Sequence, residues 1–273
     1  MRSLLFLALL GGSLAAQAAD FEAANGPTPE FLALRSSFEN PAEGWTPLFN
    51  GKDLSGWHPQ DYSPRPQRPW DWTVPALIAL DPSDDHFLLA KAFPAGSPLT
   101  PAVVADHEGK SANLVSDREF ADAEVYVEYV MSRKTNAGVC LMGNYEIQLY
   151  DSVGVADSDL TVTDNGAIYA YRGKKGRVGG SPPRVNASRG AGEWQSVHIW
   201  FRAPRFQDGK KVENARFLKV LLNGVEVQRN YELLYSTRAV PPWEERPVAP
   251  LLLQGDHGPV AFRNGWIREL RPQ

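Results

Sequence analysis

The chain has almost no cysteine. Cys140 stands alone among 273 residues, so an intrachain disulfide is impossible and no cysteine-based zinc site can form. It sits in "AGVCLMG" among apolar neighbours, where a thiol packs as a small hydrophobe. Histidine is scarce as well. No two of the five share an H-x-H or H-E-x-x-H spacing, which leaves a histidine-rich metal centre without support. Neither charge sign dominates: 28 Lys and Arg face 32 Asp and Glu, with no basic block or stripe to follow a nucleic-acid backbone. Also missing are an internal repeat, a long segment at helical period, and an apolar run of the roughly 20 residues needed to span a bilayer.

What is present begins with a targeting pattern. Arg2, the apolar "LLFLALL" and Ala16-Gln17-Ala18 read as the charged start, core and cleavage site of a signal peptide over residues 1–18. No cysteine follows that cleavage site, so lipid attachment there is excluded. The alternative reading is a membrane anchor, for which the apolar stretch is short. Export to a periplasm or the medium is expected. Residues 19–44 read as a polar lead segment, and residues 45–273 as a β-sandwich domain.

The sandwich expectation rests on alternation. "AEVYVEYVMS" places Val125, Val127 and Tyr129 on one face and Glu124, Tyr126 and Glu128 on the other. "SVHIWFRA" alternates likewise, with His198 opposite the core residues, and Asn223-Gly224 between two apolar runs is a strong hairpin signal. The 22 prolines and 23 glycines suit a sheet protein with many loops, of which Pro59–Trp72 and Tyr171–Trp194 stand out, and loops that long in a compact domain are commonly functional. "GRVGG" is no phosphate loop, since neither Lys-Ser/Thr nor a helix follows it.

Two stretches carry candidate chemistry. In "YEIQLYDS", Ile147 and Leu149 point to a core while Glu146, Gln148 and Tyr150 line the opposite face. A carboxylate, an amide and a phenol in a row suit the floor of a sugar-sized groove; an ordinary solvated face is the alternative. In "LLLQGDHGPVAFRN", Gln254, Asp256, His257 and Arg263 flank a Gly-Pro break whose turn can bring His257 and Arg263 together; a backbone-bonded histidine and a structural arginine pair are the plainer readings. A conventional glycosidase needs two carboxylates about 5–9.5 Å apart. The Glu146 strand offers only one, because Asp151 falls on the other face. A structural calcium held by Asp81, Asp84 and Asp85 is a further, nonspecific option.

"GWTPLFNGKDLSGW" at Gly44–Trp57, followed in order by "NAGVCLMGNYEIQLYDS", "GAIYAYRG", "GEWQSVHIWF", "VLLNGVEV" and "LLLQGDHGPVAFRNGWIREL", resembles the 3-keto-disaccharide hydrolase family. The ordered set covers nearly all of residues 45–271. Departures are Met142, where the family usually has arginine, and an atypical loop around Lys174–Arg189. The resemblance implies an all-β, concanavalin-like jelly-roll sandwich that cleaves glycosides already oxidised at C3. There, proton abstraction at C2 and elimination followed by hydration replace two-carboxylate hydrolysis. It implies Glu146 or His257 as base, with Arg263 or a divalent metal ion stabilising the enolate. Gln148, Tyr150, Tyr169, Lys175, Gln254 and Asp256 then bind the sugar. The alternative is a non-catalytic carbohydrate-binding module of the same architecture.

Overall fold

The computed structural model describes residues 34, 37, 38, 40, 43–60, 66, 68–75, 77–91, 103, 104, 109–173, 176–237 and 244–271. The signal-peptide reading and Lys175 therefore lie outside the described residues. Two antiparallel sheets face each other. In the first the order is Thr46–Pro47, Val260–Glu269, Ala123–Met131, Gln195–Arg202, Ala215–Leu222, Val225–Leu233, with Val103–Val104 also pairing Val260–Glu269. In the second it is Trp57–Pro59, Leu114–Phe120, Ala249–His257, Asn136–Leu141, Tyr145–Tyr150. This is the expected jelly-roll β-sandwich.

The alternation in the sequence becomes the core. Val125, Val127 and Tyr129 meet Val197, Ile199, Phe201, Phe217 and Leu222 in the first sheet, and Leu251, Leu253, Val139, Ile147 and Leu149 from the second. Burying each such side chain contributes about 1.5–3 kcal/mol. Asn223 and Gly224 adopt φ of 51° and 81°, the paired left-handed conformation of a two-residue hairpin turn, between Ala215–Leu222 and Val225–Leu233.

Part of the outer face of the first sheet is covered as well. Phe38, from the lead segment, packs with Trp45, Tyr126 and Trp266. Beside them His198 Nε2 lies 2.8 Å from Glu124 Oε1, and Arg268 Nε donates to Glu124 Oε2 at 2.7 Å. Burial holds His198 below the ordinary imidazole value, against the pull of Glu124. The Leu77–Leu80 and Leu88–Lys91 hairpin covers another part of this face through Ile78 and Leu88, which meet Val130, Trp194 and Ala261.

Two chain crossings between the sheets run side by side. Ser132–Thr135 leads from Ala123–Met131 to Asn136–Leu141, and Gly258–Pro259 leads from Ala249–His257 to Val260–Glu269. Thr135 Oγ1 donates to the Pro259 carbonyl at 2.9 Å. Gly258 has φ 132°, and a Cβ there would stand 2.8 Å from the Thr135 backbone, so only glycine fits.

This crossing corrects one expectation. The Gly-Pro break changes sheets instead of folding His257 back onto Arg263. Phe262 points into the core, so Arg263 points to the outer face of the first sheet. There its Nε donates to fully buried Glu128 at 2.7 Å, and its guanidinium lies 3.8 Å from the Trp194 ring centre. Arg263 is thus a structural ion-pair residue separated from Glu146 by the whole core. Replacing Arg263 by Met leaves Glu128 buried without its cation and is expected to cost about 3–5 kcal/mol in urea unfolding. The double variant with Glu128→Met should recover most of that loss.

Candidate active site

The outer face of the second sheet collects the remaining predicted residues. Its antiparallel register aligns Gln254, Gly138 and Gln148 in one row, Leu252, Cys140 and Glu146 in the next, and His257, Asn136 and Tyr150 on the other side. Directly paired residues on adjacent strands share a face. Ala167–Tyr169 extends the sheet past Tyr145–Tyr150. Gln148 N–H donates to the Ala167 carbonyl at 2.9 Å, and Tyr169 N–H to the Glu146 carbonyl at 3.2 Å. Ile168 enters the core, so Tyr169 lies on the Glu146 face.

Glu146 is buried, and its carboxylate leans over Gly138. A Cβ on Gly138 would meet Glu146 Oε1 at 2.5 Å, and the three atoms it would crowd most all belong to that side chain. The missing side chain is therefore the space the carboxylate occupies. Thr237 Oγ1 accepts the Glu146 N–H at 2.7 Å and anchors the strand edge beneath it. Gln148, 1% exposed, donates through Nε2 to Asn136 Oδ1 at 2.7 Å. Its Oε1, like Gln254 Oε1, is buried and accepts no hydrogen bond among the described residues. A buried acceptor left unmade costs about 1–3 kcal/mol, so two in one row call for donors from outside the chain.

A bulge shapes the far end. Three steps from Gln254 to His257 match two from Gly138 to Asn136, and the extra residue lets neighbouring Asp256 and His257 act together. His257 Nδ1 lies 2.7 Å from Asp256 Oδ1. Arg68 holds the same carboxylate, its Nε 3.6 Å from Oδ2 and its NH1 donating to the Asp256 carbonyl at 3.1 Å. Asp256 is buried while the His257 side chain is about half exposed. Hydrogen bonding to Asp256 raises the His257 pKa above its ordinary value; the Asp256 and Glu146 charges add to this, and burial and Arg68 oppose it.

Glu146, Gln148, Tyr150, Tyr169, Gln254, Asp256 and His257 thus share one face of one sheet, and Arg263 does not join them. Sequence reasoning missed Gly138, Asn136, Thr237 and Arg68, although Arg68 lies in the marked Pro59–Trp72 loop and Asn136 and Gly138 lie in the marked "NAGVCLMGNYEIQLYDS" stretch. Carboxylate and amide oxygens over Gly138 form a donor set suited to hard cations and to sugar hydroxyls alike. Elsewhere among the described residues, Asp84, Asp85 and His86 bring ligand atoms within 4.8 Å of one another on an exposed turn, where His86 already pairs with both carboxylates.

Two outcomes test this geometry. Gly138→Ala should fold normally, because the atoms the new methyl crowds most all belong to the Glu146 side chain and not to backbone. By displacing the Glu146 carboxylate it should lower turnover about 100-fold, read against an unchanged circular-dichroism melt. Asp256→Asn removes the largest cause of the raised His257 pKa. The imidazolium should then lose its proton at a lower pH, seen as a downward shift of the His257 ring resonances in an NMR titration.

Residues 44–268 match the family model of the 3-keto-alpha-glucoside-1,2-lyase-like domain. Among solved structures, a candidate glycosyl hydrolase from Parabacteroides distasonis ATCC 8503 is 25% identical, with TM-score 0.55 over 83% of this chain and 84% of that one. A second candidate glycosyl hydrolase from the same organism, 17% identical, shares the fold with TM-score 0.50 over 85% and 96%. No curated protein matches the chain. Family and neighbours together mark a carbohydrate-active β-sandwich, and no helix among the described residues is long and apolar enough to cross a membrane.

Proposed function

The chain belongs to the 3-keto-alpha-glucoside-1,2-lyase-like family, and from that premise we propose that it cleaves glycosides carrying a C3 ketone, with Glu146 as the single acid–base group and His257 as the enolate stabiliser. The observation that carries this reading is the arrangement of one carboxylate over Gly138, in the row that holds two unpartnered amide oxygens, with a carboxylate-backed imidazole beyond. Asp256, a second carboxylate on this face among the described residues, is already engaged by His257 and Arg68, which argues against its use in a two-carboxylate glycosidase.

A ketone at C3 acidifies the C2–H bond. Glu146 takes that proton, and the electron pair moves onto the C3 oxygen as an enolate. His257, which Asp256 biases toward the protonated form, faces this developing charge. The enolate re-forms the ketone as the C1–O bond breaks, and the departing oxygen takes the proton from Glu146. Water then returns across the C1–C2 double bond: Glu146 accepts its proton, hydroxide adds at C1, and the proton passes to C2. The sum is glycoside plus water giving an alcohol and a free 3-keto sugar. The unpartnered oxygens of Gln148 and Gln254 accept sugar hydroxyls, and Tyr150 and Tyr169 border the ring. Arg263 has no part in this scheme. The signal-peptide pattern of residues 1–18 supports placing this reaction in the periplasm or the medium.

The test incubates the protein with methyl 3-keto-glucoside and with the unoxidised glucoside in D2O, with and without chelator. Cleavage confined to the ketone, with deuterium at C2 of the product, is the expected result. Glu146→Gln should lower kcat by about 10²–10⁴. Cleavage without C2 deuterium would overturn the elimination route, and equal cleavage of the unoxidised glucoside would overturn the substrate class. Loss of turnover with chelator would assign the enolate charge to a metal ion instead of His257.

A further inference from the structure

An aromatic pair lies just beyond Glu146, on the side away from His257. Tyr171 and Tyr235 stack with ring centres 5.5 Å apart and planes 29° from parallel. Tyr235 is 51% exposed, and Val178, paired across a short hairpin from Tyr171, is 46% exposed. Paired and open, these rings have no role in the core.

Both tyrosines are tied to the Glu146 edge through backbone. Tyr171 follows Tyr169 by two residues, about 7 Å along extended chain, and Tyr169 donates to the Glu146 carbonyl. Tyr235 precedes Ser236, whose Oγ donates to the Asn144 carbonyl at 3.1 Å, and Thr237, which holds the Glu146 N–H. The order along this face is therefore His257, then the Gln254–Gln148 row with the Glu146 carboxylate leaning over its Gly138, then the Glu146 backbone, then the tyrosine pair.

That order matches the order of atoms in the substrate, and this inference rests on the function proposed above. With the C3 oxygen at His257 and the C2 hydrogen at Glu146, C1 and its substituent continue toward Tyr235. We infer that Tyr235, backed by Tyr171, is the docking platform for the leaving group, and that it selects glycosides whose leaving group is a ring with a flat apolar face. Sugar and aryl rings both offer such a face and stack on phenol rings. A methyl leaving group cannot.

The experiment compares phenyl 3-keto-glucoside, 3-keto-cellobiose and methyl 3-keto-glucoside on the wild type, Tyr235→Ala and Tyr235→Phe. Tyr235→Ala should lose about tenfold more kcat/KM on the two ring-bearing substrates than on the methyl one, through KM. Tyr235→Phe should keep the wild-type preference, because stacking does not use the hydroxyl. Loss with phenyl but not cellobiose, or the reverse, identifies which ring the platform takes. Equal losses on all three substrates, or none, overturn the proposal. If the wild type cleaves no 3-keto substrate, the proposed reaction fails separately. Calorimetric titration with phenyl glucoside then decides the platform: binding weakened by Tyr235→Ala supports it, and equal or absent wild-type binding overturns it.

Discussion

The close approach of backbone at Gly258 is the constraint on which the architecture turns. A crossing between sheets needs two bends within a few residues, and here a second crossing at Thr135 runs against it with no room for a side chain. The hydrogen bond from Thr135 to the Pro259 carbonyl ties the two together. Because strands alternate faces, this one junction decides which side chains of the last two long strands look outward from which sheet. His257 joins Glu146, and Arg263 is sent to the opposite surface.

The two outer faces then diverge in character. On the first sheet the buried carboxylates are paired, Glu124 with His198 and Arg268 and Glu128 with Arg263, under aromatic cover, and the polar atom left open beside them is a donor, Trp45 Nε1. On the second sheet, buried acceptors remain open at Gln148 and Gln254. Closed networks define structure, whereas open acceptors beside a buried carboxylate define a place for a ligand. This contrast separates the site from a second face that carries equally polar residues.

Much of this was legible in the residues themselves. Alternation named the core strands, and the Glu146–Gln148–Tyr150 row was assigned to one face because period two needs no tertiary knowledge. The Asn223-Gly224 turn was readable for the same local reason. Arg263 was misplaced because a Gly-Pro break signals a change of direction without saying which sheet follows. Gly138 was invisible because its role is an absence of atoms, apparent only when a carboxylate from the next strand fills the space. Asn136 and Thr237 depend on register and on a contact about 90 positions away, and neither is encoded locally.

Asp256 is shared between Arg68, from a long loop, and His257, from the sheet. The guanidinium draws on the same carboxylate that steadies the imidazolium, and its own charge works against that proton. With Arg68 docked, His257 is the stronger acid; with Arg68 withdrawn, it clings to its hydrogen more tightly. The loop's arginine thus serves as a tuning weight on proton affinity, set from a part of the chain nearly 190 residues away.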